Sequence, residues 1–196
     1  MRTYTIIRRK ENFSWAQVPS LCIDHLQWSP EVPIRAQAQL CYDQDAIYVR
    51  MAATEPFIRA EENGKLGMPC LDSCLEFFFC PSDQDDRYFN IEYNPNACLC
   101  FGFGFGCRVR LVVSDDLLNP QVAFTEDGWQ ITFQIPLKLI RQFVPEFTPV
   151  SGGSIRANCY KCGNLTVQSH YLSWNKVELP EPSFHCPPHF GTMYFE

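Results

Sequence analysis

The segment Asp72-Ser73-Cys74-Leu75-Glu76-Phe77-Phe78-Phe79 carries a glutamate inside a run that is otherwise apolar. Successive side chains of a strand point to opposite faces, so a run that is apolar on both faces predicts a strand in the middle of a packed sheet. An ionised glutamate is rarely buried there unless it has a cationic partner or lines a wet cleft. Glu76 therefore indicates either a buried ion pair or a binding site.

A second polar row follows in the next predicted strand. The segment Tyr88-Phe89-Asn90-Ile91-Glu92-Tyr93-Asn94 alternates strictly, so Asn90, Glu92 and Asn94 share one face. Amides and carboxylates offer paired donors and acceptors, which suits a polyhydroxylated ligand, although a solvated sheet face would have the same pattern. Because consecutive strands often pair, we expect Glu76 and Glu92 on one surface. Two such carboxylates are also the acid–base pair that a glycoside-acting enzyme would need.

Metal-ligating residue types occur in spacings that favour structural roles. The segment His185-Cys186-Pro187-Pro188-His189 lacks the paired Cys-x-x-Cys spacing of a structural zinc site. Two acidic turns offer oxygen ligands for calcium: Asp43 with Asp45, and Asp83 with Asp85 and Asp86. The sequence does not assign a calcium ion to either turn. There is no Gly-x-Ser-x-Gly nucleophile elbow. The sequence thus predicts no catalytic residue, no metal ligand and no cofactor, with calcium left open.

The composition excludes several classes of partner. The net charge is −6, from 22 acidic and 16 basic residues, which argues against binding to a phosphate backbone. No apolar stretch approaches the roughly 18 residues of a membrane span. Residues 1–21 lack the apolar core of a secretory signal, which predicts a cytoplasmic protein. The eleven cysteines are therefore expected to be free, mostly structural thiols.

The elements that must position the polar rows are mostly strands. Turn residues separate short apolar segments about every 8–12 residues, which is typical of a β-sandwich or jelly roll. One short helix is predicted near 136–143, beginning at Pro136. The segment Phe101-Gly102-Phe103-Gly104-Phe105-Gly106 predicts a strand with the three phenylalanines on one face, and Arg108–Ser114 predicts the next strand. We therefore expect an all-β, antiparallel sandwich, forming a single domain over residues 1–196.

These segments resemble the motifs of carbohydrate-binding module family 9, in the DOMON-like superfamily, and of a subgroup that occurs as free-standing domains. The resemblance covers about residues 34–196. One matching segment is the Asp72–Phe78 strand, which is similar to a strand of that family carrying a ligand-binding glutamate. The other matching segments are Leu40–Asp43, Ile47–Arg50, Gly128–Leu137, Arg156–Lys161, His170–Trp174, Phe184–His185 and Phe190–Gly191.

The resemblance implies a non-catalytic module that holds a mono- or oligosaccharide between aromatic walls, with a carboxylate and amides completing the grip. The residues predicted to bind the ligand are Glu76, Asn90, Glu92, Arg156, Asn158 and Trp174. Trp174 is the predicted aromatic wall. The family's second tryptophan precedes the Asp-Ser motif, where this chain has Gly67-Met68-Pro69-Cys70-Leu71.

Three alternatives remain at this stage. The chain is an interaction module that kept the fold and lost the sugar site, or an enzyme that uses Glu76 and Glu92. The third alternative is a haem-binding domain, as in DOMON-like relatives, with ligands drawn from Met51, Met68, Met193, His170 and His185. Lys161 is out of phase with Arg156, Asn158 and Tyr160, so it faces the other side of the strand unless a bulge intervenes.

Overall fold

The computed structural model describes residues 1–82, 84–106 and 109–196 of the chain. Within these residues the strands are β1 (Thr3–Arg8), β2 (Leu21–Ile23), β3 (His25–Leu26), β4 (Arg35–Tyr42), β5 (Ala46–Thr54), β6 (Cys74–Cys80), β7 (Tyr88–Tyr93), β8 (Leu99–Gly104), β9 (Gln121–Phe124), β10 (Gly128–Pro136), β11 (Ser154–Gly163), β12 (His170–Ser173) and β13 (Gly191–Phe195). Two one-turn helices accompany them, α1 (Asp115–Leu118) and α2 (Leu137–Ile140).

The strands form two sheets that share β1. The first sheet runs β8-β7-β6-β11-β13-β1, and the second runs β1-β4-β5-β10-β9. The start of β1 pairs with β13, whereas Ile7 and Arg8 at its end pair with β4. Both of these pairings are parallel, and the other pairings between the described strands are antiparallel. The all-β sandwich is confirmed, with β1 as the parallel exception.

The main core lies between the two sheets and follows from strand alternation. Leu75, Phe77 and Phe79 of β6 point inward against residues such as Val49 and Met51 of β5, and all five are buried. The opposite face of β6 is also buried, which is why the strand is apolar on both sides. There a smaller apolar cluster covers part of the first sheet, and the predicted site residues other than Trp174 lie on this outer face.

Two local predictions met different outcomes. The helix near 136–143 is confirmed as α2, which begins directly after Pro136. The strand over Arg108–Ser114 is wrong for its described part, where Arg110 makes an isolated bridge to Gly102 and Ser114 precedes α1; Arg108 itself lies outside the described residues. Gly102 leaves room for this crossing, since a Cβ atom there would lie 2.5 Å from the Val109 carbonyl oxygen.

The phenylalanines beside Gly102 divide at the end of β8. Phe101 and Phe103 join the main core, as the shared face predicts, whereas Phe105 lies beyond the strand and is exposed. Among the helices of the described residues, none has the length and apolar character needed to cross a membrane.

Candidate functional site

Strand register brings the two predicted carboxylates together. Glu76 of β6 lies directly opposite Glu92 of β7, which confirms that they share a surface. The same row continues to Tyr160 of β11 on one side and to Cys100 of β8 on the other. The outer face of the first sheet therefore carries a line of four side chains in which two carboxylates are adjacent.

The polar group is almost closed to solvent. Glu76, Asn90 and Glu92 are 3%, 4% and 5% exposed. The Asn90 amide Nδ2 donates to Glu92 Oε1 at 3.0 Å, and the Cys162 thiol donates to Glu76 Oε1 at 2.9 Å. No ion pair within 4.0 Å involves either glutamate in the described part of the chain. The cationic partner that would make Glu76 merely structural is thus not found among these residues.

Burial controls the protonation of this group. Desolvation raises the pKa of Glu76 well above its ordinary value, and Cys162 and Glu92 raise it further. Burial likewise raises the pKa of Glu92 to about 7, although the Asn90 amide and the Arg110 guanidinium both lower it. Both side chains therefore carry protons more readily than an exposed glutamate, and each can then donate as well as accept a hydrogen bond.

Arg110 lies at the exposed edge of this group. Its Nη1 donates to the Leu66 and Gly67 carbonyl oxygens at 3.4 and 3.3 Å, in the segment between β5 and β6. These two contacts are long for hydrogen bonds, so they restrain the guanidinium weakly. Arg110 is therefore a weakly restrained positive charge near Glu92, and the sequence pattern, which predicted a strand here, gave no sign of this placement.

Four thiols surround the carboxylates. Cys74 and Cys162 lie opposite each other on β6 and β11, and their sulfur atoms and a Glu76 carboxylate oxygen all lie within 4.8 Å of one another. Cys70 accepts from the Cys162 thiol through its carbonyl oxygen at 3.8 Å, and Cys100 lies across from Glu92. Strand alternation already placed Cys74 on the same face as Glu76 from the sequence. The pairing with β11 was not visible there.

Aromatic side chains border the thiol side of the group. Tyr171 of β12 lies opposite Cys162, and its half-buried ring meets that of Trp28 edge to face, with centroids 5.9 Å apart. Tyr160 and Phe184 stack beneath them with centroids 4.0 Å apart. Tyr171 and Trp28 are therefore the partly exposed aromatic rings of the cluster on this face.

Arg156 and Asn158 lie on the same face but are committed to other contacts. Arg156 Nη2 donates to Asp86 Oδ1 at 2.8 Å. Asn158 is fully buried; its Nδ2 donates to the Asn175 carbonyl oxygen, and its Oδ1 accepts from the Asn175 amide, each at 2.9 Å. Both predicted ligands are thus engaged by other protein groups: Arg156 bonds Asp86, and Asn158 holds the chain after β12 in place.

The structure corrects the prediction for Trp174. Its side chain is 3% exposed and packs in the main core, on the opposite side of the first sheet from Glu76. The reason is strand phase: Tyr171 faces the outer cluster, so Leu172 and Trp174 face the core. Gly191 accommodates the indole, since a Cβ atom there would lie 2.6 Å from its Cζ3. Trp174 cannot form a wall beside Glu76 in this arrangement.

Of the residues considered for haem and zinc, two methionines are buried in the core and two histidines bond other protein groups. Met51 and Met193 are buried in the main core, and Met68 is half exposed. The His185 ring nitrogen Nδ1 is 2.6 Å from the Tyr88 hydroxyl, and His189 Nδ1 accepts from the Glu178 amide.

The acidic turns considered for calcium are likewise engaged with protein groups. Asp43 Oδ1 accepts from the amides of Asp45 and Ala46, and Asp85 contacts Arg87. Asp83 lies outside the described residues.

Lys161 supplies the buried ion pair that Glu76 lacks. No bulge interrupts the pairing of β11 with β6, so Lys161 faces the core, where its Nζ lies 3.2 Å from Glu55 Oε2. Glu55 also accepts from the Trp129 indole at 2.7 Å and from the Ser73 hydroxyl at 2.9 Å. Glu55 and Trp129 belong to the second sheet's side, so this network ties the two sheets together.

A separate groove of about 970 Å³ lies on the outer face of the second sheet. Its polar floor includes Gln37, Gln39, Arg50 and Gln130, and the Arg50 guanidinium donates to Gln130 Oε1 at 2.6 Å. The groove offers amides and a cation, as a sugar site does, but its tryptophan, Trp129, is fully buried.

Comparison with known proteins identifies relatives along the whole chain. The model of carbohydrate-binding family 9 matches residues 4–195. A candidate carbohydrate-binding protein from Bacteroides uniformis is 24% identical, with a TM-score of 0.83 over 100% of this chain and 99% of the other. A family 9 module from Caldicellulosiruptor kristjanssonii in complex with glucose is 11% identical (TM-score 0.72; 100% and 96% covered). In complex with cellotriose, such a module from that organism is 12% identical (TM-score 0.69; 100% and 94% covered).

No curated protein matches the chain. At identities below 25%, the likeness to the solved structures establishes the fold, and the family model carries the family assignment.

Proposed function

The chain belongs to carbohydrate-binding family 9, and from this premise we propose that it is a non-catalytic module that binds a mono- or oligosaccharide at the outer face of the first sheet. The observation that carries the proposal is the adjacency of Glu76, Glu92 and Asn90, buried without a cation within ion-pair distance in the described residues. The relatives crystallised with glucose and cellotriose support this class of ligand.

The chemistry of the group suits hydroxyl groups. Glu92 and Asn90 are already linked, so a sugar hydroxyl can donate to one and accept from the other without reorganising the strand. The exposed Arg110 beside Glu92 supplies a further donor. We assign the aromatic wall to Tyr171, with Trp28 behind it, because these half-buried rings border the same face and Trp174 does not.

The carboxylates fit binding better than catalysis. A glycoside-acting pair needs one protonated and one ionised carboxyl group. Here burial raises the pKa of both glutamates; the Asn90 amide and the Arg110 guanidinium offset this in part for Glu92, whereas Cys162 and Glu92 raise the pKa of Glu76 further. We therefore propose that Glu76 and Glu92 act as hydrogen-bonding groups.

The direct test is calorimetric titration with a panel that includes glucose and cellotriose, comparing wild type with Glu92→Gln. Leaving a buried hydrogen-bonding partner unsatisfied costs about 1–3 kcal/mol, so we expect affinity to fall about five- to a hundredfold. Arg50→Ala, on the groove of the second sheet, is the matched control and should bind as wild type does. If Arg50→Ala loses binding and Glu92→Gln keeps it, the site lies on the second sheet.

A second candidate function, an interaction module without a sugar site, is favoured by one observation. The carboxylates are only 3–5% exposed, and the stretch Gly67–Leu71, which precedes the Asp-Ser motif, holds no tryptophan. If no sugar in the panel binds to wild type while the protein is folded, this function replaces the first. The cytoplasmic location remains a prediction; the buried free thiols Cys74 and Cys162 are compatible with a compartment that keeps thiols reduced.

A further inference from the structure

The thiols around Glu76 form a group that hydrogen bonding to sugar does not use. Cys74 and Cys162 are directly opposed on neighbouring strands, both are free, and they are 0% and 2% exposed. Their two sulfur atoms and a Glu76 oxygen lie within 4.8 Å of one another, and the Cys162–Glu76 contact is 2.9 Å. This is the group of three metal-ligating side chains found in the described residues.

The distances fit a small thiophilic cation. Around tetrahedral zinc, with Zn–S near 2.3 Å and Zn–O near 2.0–2.2 Å, ligand atoms lie roughly 3.5–3.8 Å apart. The three donors need to move by only about 1 Å to reach those separations. Because two donors come from paired strands and the third lies on one of them, the sheet already fixes their spacing.

The charge of the surroundings points the same way. Glu76 has no cation within ion-pair distance in the described ranges, and the apolar cluster with Phe78, Tyr160 and Phe184 borders the group. A buried carboxylate in this position is costly when ionised, and a divalent cation would remove that cost. A donor set that contains two thiolates binds Zn²⁺ in preference to Mg²⁺ or Ca²⁺.

We propose that Cys74, Glu76 and Cys162 form a site for a thiophilic divalent cation, of which Zn²⁺ is the best match. Cys70, whose carbonyl oxygen already contacts the Cys162 thiol, offers a further sulfur beside the group that can complete the tetrahedron, as can a water molecule. Binding would release the protons of the thiols and of Glu76, so affinity should rise with pH. The metal site goes beyond sugar binding: it shares Glu76 with the proposed sugar site, but Asn90 and Glu92 stay outside the ligand set and no sugar is needed for the cation to bind.

The first test uses untagged protein, stripped of metal under a reducing agent and titrated with Co²⁺. We expect a thiolate-to-cobalt charge-transfer band at one equivalent, which Zn²⁺ then abolishes by displacement. Cys162→Ala should lose the band, and Glu76→Gln should bind at least tenfold more weakly. Cys159→Ala, on the same strand but in the main core, is the matched control and should keep the band. A band that survives in Cys162→Ala, or is absent from wild type, overturns the proposal.

The second test requires no variant. X-ray absorption of the zinc-loaded wild-type protein should give two or three sulfur ligands and one or two oxygen ligands. Four sulfurs, or none, would overturn the assigned set. Neither test contains sugar, so a failed metal site leaves the carbohydrate proposal intact, and failed sugar binding leaves the metal site intact.

Discussion

Two buried glutamates on opposite sides of the first sheet have opposite surroundings: Glu55 follows β5 of the second sheet and bonds Lys161 on the core side, and Glu76 lies on the outer face. Glu55 meets an ammonium, an indole N–H and a hydroxyl, and every one of these contacts comes from a different part of the chain. Glu76 meets a thiol and another glutamate. Both side chains are nearly inaccessible, so burial alone does not separate structure from function.

The groups that contact each glutamate distinguish the structural carboxylate from the functional one. A buried charge that is fully paired fixes the geometry of the fold, whereas removal of one partner leaves the other charge exposed to the full cost of burial. A buried carboxylate without a cation is held in its protonated form, ready to exchange that proton for a ligand. We therefore interpret the Glu55 network as the tie between the sheets and the Glu76 group as the binding surface.

The histidine beside Lys161 extends this contrast to pH. His170 Nε2 lies 2.8 Å from Lys161 Nζ, and Nδ1 lies 2.7 Å from the Gln168 carbonyl oxygen, so the ring is neutral with its proton on Nδ1. Burial and Lys161 lower the pKa of His170 from 6.5 to about 4. The unfolded chain gains a proton first as pH falls, so this side of the sheet loses stability between about 6.5 and about 4.

The largest expected effect comes from breaking the paired side. Glu55→Gln leaves the Lys161 ammonium buried without its counter-charge, and such losses cost about 3–5 kcal/mol. The free energy of unfolding from denaturant titration measures it. The double variant Glu55→Gln/Lys161→Met removes both charges and should regain much of the loss. A single variant as stable as wild type would show that Glu55 does not carry the tie.

The next largest effect is a pH dependence of stability that comes from Glu92, on the side of the first sheet where the carboxylates have no ion-pair partner in the described residues. Folding raises the pKa of Glu92 from 4.5 to about 7, so the folded state keeps a proton that the unfolded chain releases. Its contribution is complete below pH 4.5, falls as pH rises, and levels off above about 7. We expect wild type to lose stability relative to Glu92→Gln across that window, which is the reverse of the His170 effect. Parallel stability curves for the two proteins would contradict the assignment.

Much of this contrast was accessible to the sequence. Strand alternation and the pairing of consecutive strands suffice to place Glu76 beside Glu92, because β6 and β7 are neighbours in the chain. Alternation also separates Lys161 from Asn158 and Tyr160, and the regular pairing of β11 bears this out. Local periodicity therefore predicted which face each polar side chain occupies.

The partners of those side chains were not accessible, because long-range pairing decides them. Cys162 reaches Glu76 from 86 residues away through the β6–β11 pairing, and Glu55 and Lys161 meet across two sheets. Trp174 was misplaced because family resemblance was given more weight than phase: Tyr171 and Ser173 share one face, so Trp174 has the other. Strand alternation counted from Tyr171 places Trp174 on the face opposite Tyr171, so Tyr171 is the aromatic residue that we propose for the binding face.

A smaller effect on the free energy of unfolding is expected when Glu76 instead of Glu55 is changed to glutamine. Glu76→Gln replaces a protonated carboxyl group by an amide of the same shape, so we expect metal-free stability at neutral pH within about 1 kcal/mol of wild type. Glu55→Gln under identical conditions is the matched comparison. A loss for Glu76→Gln as large as that for Glu55→Gln would mean that Glu76 is ionised and paired, and the contrast between the two faces would fail.

The smallest expected effect is that of Arg110, at the exposed edge of the Glu76–Glu92 group. Arg110→Ala removes the positive charge that lowers the pKa of Glu92, so that pKa should rise above its wild-type value, as followed by NMR of the Glu92 side-chain carboxyl carbon. Global stability should hardly change, because Arg110 is exposed and its two hydrogen bonds are long. His170, on the other face, should titrate as in wild type. If the pKa of Glu92 stays constant, Arg110 does not act on it, and the donor that we assign to the sugar site must come from Asn90 alone.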